Sequence, residues 1–229
     1  MPFGNPSNRF PLTMDLRTVR IAVVGDSGVG KSSLVHFLCH GAVLTHPTWT
    51  IGCTTEVLLY QDHTFIEFVD IGGNPRYEIS RSAFYHELHG ASTSLASHER
   101  LSGIIFVYDM SNIRSYNNLR KWIAELTHAQ KTRPNVLANM DRIGPLPTFV
   151  VGNKQDLVQT QRAAPLRDLK MESIEASAKM GSIDVGRFHL FLDRVIATAF
   201  TTTPTSLRNR AHVAASPLGG AVTSSGWWS

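Results

Sequence analysis

Gly25-Asp26-Ser27-Gly28-Val29-Gly30-Lys31-Ser32 carries the spacing G-x-x-x-x-G-K-[ST], which suits the holding of a phosphate chain. A polyphosphate is too charged to bury unless donors surround it. Gly25, Gly28 and Gly30 leave a backbone free to turn its N–H groups inward where a Cβ would collide. Asp26, Ser27, Val29 and Ser33 complete the expected cradle. Lys31 has the length to reach β- and γ-phosphates as a point charge. Ser32 can offer its hydroxyl to Mg²⁺, which prefers oxygen ligands and keeps several waters.

A second group could read a base. Asn153-Lys154-Gln155-Asp156 follows a buried apolar run, and a carboxylate at 156 can accept both the ring N–H and the exocyclic amine of guanine. Adenine does not present that pair of donors. Further on, Glu175-Ala176-Ser177-Ala178-Lys179 offers a backbone N–H for the guanine carbonyl and a lysine stem to lie over the base. Asp156, and Asp70 at the end of another apolar run, could instead serve as strand-end caps or solvated loop residues.

These groups need a scaffold that brings them together. Val19 to Val24 reads as a strand buried on both faces, and Ser33 to Leu38 has helical spacing, so the glycine loop lies in the strand–loop–helix context its chemistry requires. Gly41 is a plausible stop for that helix. Thr54 to Tyr60 and Thr64 to Asp70, divided by Gln61-Asp62-His63, read as a hairpin. A long connection follows, with helical character from Tyr77 to Phe84, a break at Gly90 and a surface loop from Ala91 to Arg100. Gly103 to Asp109 is a buried strand, and Ser111 can cap a helix whose Tyr116, Leu119, Ile123 and Leu126 share one face. Residues 129–146 read as a loop, Phe149 to Gly152 and Ser173 to Ala176 as strands, and Ile183 to Phe200 as a closing helix. The prediction is an α/β domain of the phosphate-loop NTPase class, with a six-stranded, mostly parallel sheet and helices on both faces.

Length and composition bound the rest. The 229 residues suffice for one domain with a full core, and 42% hydrophobic with 17% charged residues suits a globular chain. Residues 1–17 read as a flexible arm, 18–200 as the domain, and 201–229 as a disordered Ser/Thr/Pro-rich tail in which Trp227-Trp228 could tag a partner. A net charge of +4 without a dense Lys/Arg cluster gives no case for nucleic acid. There is no apolar run of membrane-spanning length and no apolar core of a signal peptide. The protein is expected in the cytoplasm, with the nucleus open as a second place, and without stable membrane insertion. Cys39 and Cys53 indicate no disulfide framework and no zinc site. Of the ten scattered histidines, His86, His89 and His98 come nearest to a cluster, in a stretch that reads as solvated loop.

With these motifs in this order, the chain from Thr18 to about Phe200 resembles the small GTPases of the Ras superfamily, and within them the Rab branch. Gly25 to Ser32 is similar to the Rab phosphate loop, and Ser111 to Leu126, containing Ser-Tyr-Asn-Asn-Leu-Arg-Lys-Trp, to the Rab third helix. Leu34-Val35-His36 and Trp49-Thr50-Ile51-Gly52-Cys53 resemble the Rab-like proteins without a lipid anchor, the third Rab-like subgroup of animals and the light-insensitive-period GTPases of plants. The resemblance implies GTP and GDP as ligands, Mg²⁺ held by Ser32, Thr50 and, through water, Asp70, and γ-phosphate sensing by the Gly73 N–H. It implies exchange factors, activating proteins and effectors as partners.

Several residues depart from that pattern. The sequence has no cysteine near its C-terminus, so prenylation is not expected. Asn74, followed by Pro75, stands where Rabs place the glutamine that orients the attacking water, and Val43 where they place an aromatic over the guanine. Extra residues around 86–98 and 129–146 are matched by a short stretch between Asp156 and Ser177. The leading expectation is a Mg²⁺-dependent guanine-nucleotide switch with slow hydrolysis, its catalytic set being Lys31, Thr50, Gly73 and Asn74. The rival is a non-hydrolysing nucleotide-binding adaptor that could act as a homodimer. A generic ATPase is opposed by Asp156.

Overall fold

β-Branched runs that bury both faces organise the molecule. The computed structural model describes residues 17–78, 81, 101–131, 146–158 and 171–201. In β1 (Arg17–Val24), Val19, Ile21 and Val23 face one core while Ala22 and Val24 face another, all of them 0% exposed. β2 (Cys53–Tyr60) and β3 (Thr64–Ile71) form the expected antiparallel hairpin, and β3 lies parallel to β1. β4 (Leu101–Asp109), β5 (Thr148–Asn153) and β6 (Ser173–Ser177) extend the sheet in parallel on the other side of β1.

The sheet has seven strands in the order β2-β3-β1-β4-β5-β6-β7, one more than predicted. The addition, β7 (Ser182–Ile183), is two residues long and pairs antiparallel with the end of β6. Two residues cannot show an alternation, so the sequence carries no periodic signal for it. Gly181, at φ +63°, turns the chain back between the two strands.

Helices α1 (Lys31–His40), α2 (Ile113–Lys131) and α3 (Val185–Thr201) cover both faces. Leu34 and Val35 of α1 join Phe188, Phe191 and Leu192 of α3 in one core, where Phe149 and Phe191 stack at 4.8 Å between ring centroids. Burying each such phenyl ring contributes about 2–3 kcal/mol. Leu119, Trp122 and Leu126 of α2 form the second core against Ile104, Phe106 and Val150. The predicted face of α2 is the buried one. α1 ends as expected at Gly41, whose left-handed φ of +64° lets its N–H reach Phe37 O.

Several boundaries differ from expectation: the closing helix begins at Val185 because Ile183 pairs in β7, and β4 begins at Leu101 and not Gly103. Asn112, not Ser111, caps α2: its Oδ1 accepts from Arg114 N at 3.1 Å, while Ser111 Oγ donates to Asp109 Oδ1. Both residue types are good caps, and Asp109 draws the serine away. α2 also runs to Lys131, beyond the predicted loop boundary at 129, because Ala129-Gln130-Lys131 are strong helix formers. In the segment expected to be helical from Tyr77, Pro75–Tyr77 form a 3₁₀ turn, and Glu78 and Arg81 are helical. The rest of that segment, residues 82–100 with His86, His89 and His98, the insert 132–145, the arm before Arg17 and the tail after Thr201 lie outside the described residues. No helix among those described is long and apolar enough to cross a membrane.

Candidate nucleotide-binding site

The carboxyl ends of β1, β3, β4, β5 and β6 converge on one edge of the sheet, where ligands of open α/β sheets are held. The glycine loop joins β1 to α1 there. At Gly25, φ +148°, an added Cβ would collide with Val107 O of β4, so only glycine lets the loop lie this close to the sheet. Gly73 abuts the same loop, for a Cβ there would meet Gly25 O and stand 2.5 Å from Ser27 N. The residue expected to sense a γ-phosphate thus lies against the loop expected to hold it. Val29 is buried in the core, and Ser27, Gly28, Gly30, Lys31, Ser32 and Ser33 line a cavity of about 520 Å³. Thr50, Gly73 and Lys154 border the same cavity, whose size is that of a small-molecule site.

Lys31 is 6% exposed, and its Nζ donates to the carbonyls of Gly25 and Asp26, each at 2.9 Å. Burial pulls the amine down to about 8, although Asp70 and Asp26 push the other way. An incoming phosphate would supply the charge that this environment lacks.

Ser32, Thr50 and Asp70 meet at one point, although they are far apart in the chain. Ser32 Oγ donates to Asp70 Oδ2 at 2.5 Å, Thr50 Oγ1 donates to the same oxygen at 3.1 Å, and the two hydroxyls are 3.0 Å apart. Asp70 is 1% exposed, and its Oδ1 is buried without a hydrogen-bond partner among the described residues. A buried carboxylate oxygen with no donor is costly. Two hydroxyls and a carboxylate form an all-oxygen donor set, the kind that Mg²⁺ takes, so these residues fit the expected ion.

The groups expected to read a base are also assembled. Asn153, 1% exposed, donates through Nδ2 to Val29 O at 3.0 Å and accepts at Oδ1 from Ala178 N at 3.0 Å. It ties the phosphate loop to the end of β6. The Ala178 N–H expected to meet a guanine carbonyl is therefore engaged with Asn153 in this structure. Asp156 is exposed, and its Oδ1 accepts from Ser177 Oγ at 2.5 Å, which fixes the carboxylate's direction. Lys179 is exposed beside them. Lys154 holds a left-handed φ of +64° and donates from Nζ to Asp109 Oδ2 at 2.7 Å. Burial would push the Asp109 carboxyl up, but bonds from Lys154 and Ser111 more than offset it and hold the group below its ordinary value.

Val43 offers no aromatic face for a base, and the aromatic of the same loop is Trp49. Val43 is 41% exposed, whereas Trp49, 84% exposed, lines the cavity. Asn74 has an extended backbone, as the residue before a proline should, and its Oδ1 accepts from Arg76 N at 3.0 Å.

Sequence reasoning gave Asp26 no role beyond the loop. Its carboxylate accepts from Asn118 Nδ2 at 2.7 Å and from Trp122 Nε1 at 2.8 Å, both on α2. Arg81 lies with its guanidinium 4.6 Å over the Trp122 ring and donates from Nη1 to Asn74 O at 2.6 Å. A tryptophan amid the polar residues of α2 was the available signal.

A model of the Ras family matches residues 20–184. Rab-like protein 3 of Mus musculus is 32% identical over 214 residues, 79% of this chain and 85% of its own length. Rab-like protein 3 of Homo sapiens is 31% identical over the same shares. Small GTPase LIP1 of Arabidopsis thaliana is 36% identical over 156 residues, which cover 61% of this chain and 42% of LIP1. With its phosphate loop, oxygen cluster and NKxD segment on the carboxyl edge of the sheet, the chain belongs to the Ras family of GTP-binding switches, among its Rab-like members.

Proposed function

We propose that the protein is a Mg²⁺-dependent guanine-nucleotide switch that hydrolyses GTP slowly by itself. The observation that carries this reading is the meeting of Ser32, Thr50 and Asp70, with one Asp70 oxygen unpaired among the described residues and the Asp70 charge acting on Lys31. Ser32 and Thr50 would hold Mg²⁺ directly and Asp70 through water. When bound, the ion neutralises charge on the β- and γ-phosphates. Lys31 stabilises negative charge that develops on the γ-phosphoryl oxygens, and the Gly73 N–H reports whether that group is present. Asp156, aimed by Ser177, selects guanine. Catalysis in phosphoryl transfer is mostly positioning and electrostatics, so a poorly positioned water suffices to make it slow.

Asn74 supports slowness. Its carbonyl-type oxygen caps its own turn and Pro75 holds its backbone extended, so the side chain is not presented to a water at the γ-phosphate. An exchange factor, an activating protein and effectors are the partners this reading calls for.

Phosphate release from GTP-loaded protein in a single turnover, with Mg²⁺ and after its chelation, tests the proposal. Slow release that needs Mg²⁺ is expected. Tight GTP binding with no hydrolysis, even with cell extract added, favours the second reading, a nucleotide-binding adaptor. The Asn74–Arg76 bond is the observation on that reading's side.

A further inference from the structure

His36 and His40 stand one turn apart near the end of α1, and Glu56 of β2 lies opposite them. His40 Nε2 is 2.8 Å from Glu56 Oε2, and His36 Nδ1 is 3.7 Å from the same oxygen. One ligand atom from each of the three lies within 4.8 Å of the other two. A tetrahedral zinc site, with bonds of about 2.0–2.2 Å, sets its ligand atoms roughly 3.3 Å apart. The two separations from Glu56 bracket that spacing, and small side-chain rotations at the surface close the third. All three side chains are at least partly exposed, so an ion has an open path.

An ion pair explains the geometry less well than a metal does. Glu56 needs only one imidazolium as a partner, yet two rings crowd it with centroids 4.6 Å apart. Two imidazoles and a carboxylate converging on one point make a donor set that a cation can share, and imidazole ligands select a zinc-class ion over Mg²⁺. Cys39, next to His40 in sequence, packs against the core and is not one of the three.

We propose that His36, His40 and Glu56 form a binding site for a divalent cation of the zinc class, with a fourth position open to solvent, clasping the end of α1 to β2. None of the three belongs to the nucleotide site. They flank the loop 41–52, which leaves α1 at Gly41, re-enters the sheet at Cys53 and carries Thr50. Resting on the switch reading, the clasp steadies that loop, so its occupancy slows the departure of nucleotide.

The test uses the full chain loaded with GDP under saturating Mg²⁺, which keeps Zn²⁺ from the phosphate site. Zn²⁺ is titrated in competition with a zinc-selective chromophoric chelator. One equivalent should bind with a Kd of about 1 μM or tighter. His40→Ala and Glu56→Gln should each weaken binding about tenfold or more, and retained GDP shows that the variants are folded. Wild type should also show the visible bands of a four-coordinate site on Co²⁺ substitution. Absent Zn²⁺ binding, or variants that bind as tightly as wild type, overturns the site. Should the variants fail to fold, a six-coordinate Co²⁺ spectrum in wild type does the same. With Zn²⁺ bound, GDP release should slow about fivefold; unchanged release overturns the coupling alone. The binding arm needs no hydrolysis, so its failure is distinct from failure of the switch reading.

Discussion

The indole N–H of Trp122 donates to Asp26 Oδ1 at 2.8 Å, which fastens the phosphate loop to the middle of α2. On its other side the same ring carries Arg81, whose guanidinium holds the carbonyl of Asn74. One side chain therefore touches both the loop before α1 and the segment after β3. A change at either end has a short physical route to the other.

Trp122→Phe keeps the ring under Arg81 and removes only the donor to Asp26. A hydrogen bond to a charged group contributes about 1.5–3 kcal/mol, and this one, part-buried, falls toward the lower end. The variant should therefore melt lower and release a fluorescent GDP analogue faster than wild type. If stability and release are both unchanged, Asp26 does not anchor the loop through this bond.

Lys31 predicts a pH dependence with a definite sign. Burial lowers its amine to about 8, with Asp70 and Asp26 opposing, and phosphates held against it should raise it. Below that value the lysine is charged in both states and affinity is flat. As pH rises through it, the free form loses its proton while the bound form keeps it, so affinity falls. From pH 7 to 8.5 the fall should be about fourfold, with uptake of about half a proton on binding at pH 8. Calorimetry in two buffers of different ionisation enthalpy measures the uptake, and a value of zero at pH 8 would contradict this environment for Lys31.

The sequence displayed the phosphate loop because eight consecutive residues hold its chemistry, and it displayed the strands because each run is buried on both faces. It displayed the Ser32, Thr50 and Asp70 cluster only through family resemblance, since Ser32 and Asp70 are 38 residues apart and meet by folding. Asp26 and Trp122, 96 residues apart, gave no such hint. The His36 and His40 pair was visible as i, i+4 spacing on a helix, but without Glu56, delivered by β2, it read as scattered histidine. β7 was too short to leave a pattern.

Guanine selection should depend on Asp156. Asp156→Asn is expected to cost a few kcal/mol in GTP affinity and to relax discrimination against xanthine nucleotides. Ser177→Ala, which frees the carboxylate that Ser177 Oγ now directs, should cost about 1 kcal/mol without changing base preference. Equilibrium competition among GTP, ATP and XTP separates the two effects. Undiminished GTP affinity in Asp156→Asn would place guanine recognition elsewhere.

Coverage of the base should fall to Trp49 and not to Val43. Trp49 lines the cavity although it is 84% exposed, so it has an aromatic face to offer. An aromatic contact of this kind contributes about 1 kcal/mol, so Trp49→Ala should speed GDP release about fivefold. Val43→Phe should slow release only if Trp49 leaves the base open. Stopped-flow release from both variants decides which residue covers the ring.

Turnover should be limited by Asn74 and Pro75 together. Asn74 carries the amide needed to orient a water, but its Oδ1 accepts from Arg76 N and its ψ of 126° is the extended value that the following proline favours. Asn74→Gln adds the missing methylene and gives up the cap, yet leaves the backbone restricted. Its single-turnover rate should therefore rise less than about tenfold, whereas Asn74→Gln combined with Pro75→Ala should rise further, because the glutamine can then swing toward the γ-phosphate. A partner's arginine could add about 10³-fold or more by neutralising charge in the transition state. Phosphate release from wild type, the single variant and the double variant, each with and without cell extract, measures both contributions. If the single and double variants hydrolyse equally fast, Pro75 plays no part in holding Asn74 away from the water, and reach alone would account for any slowness of the wild type.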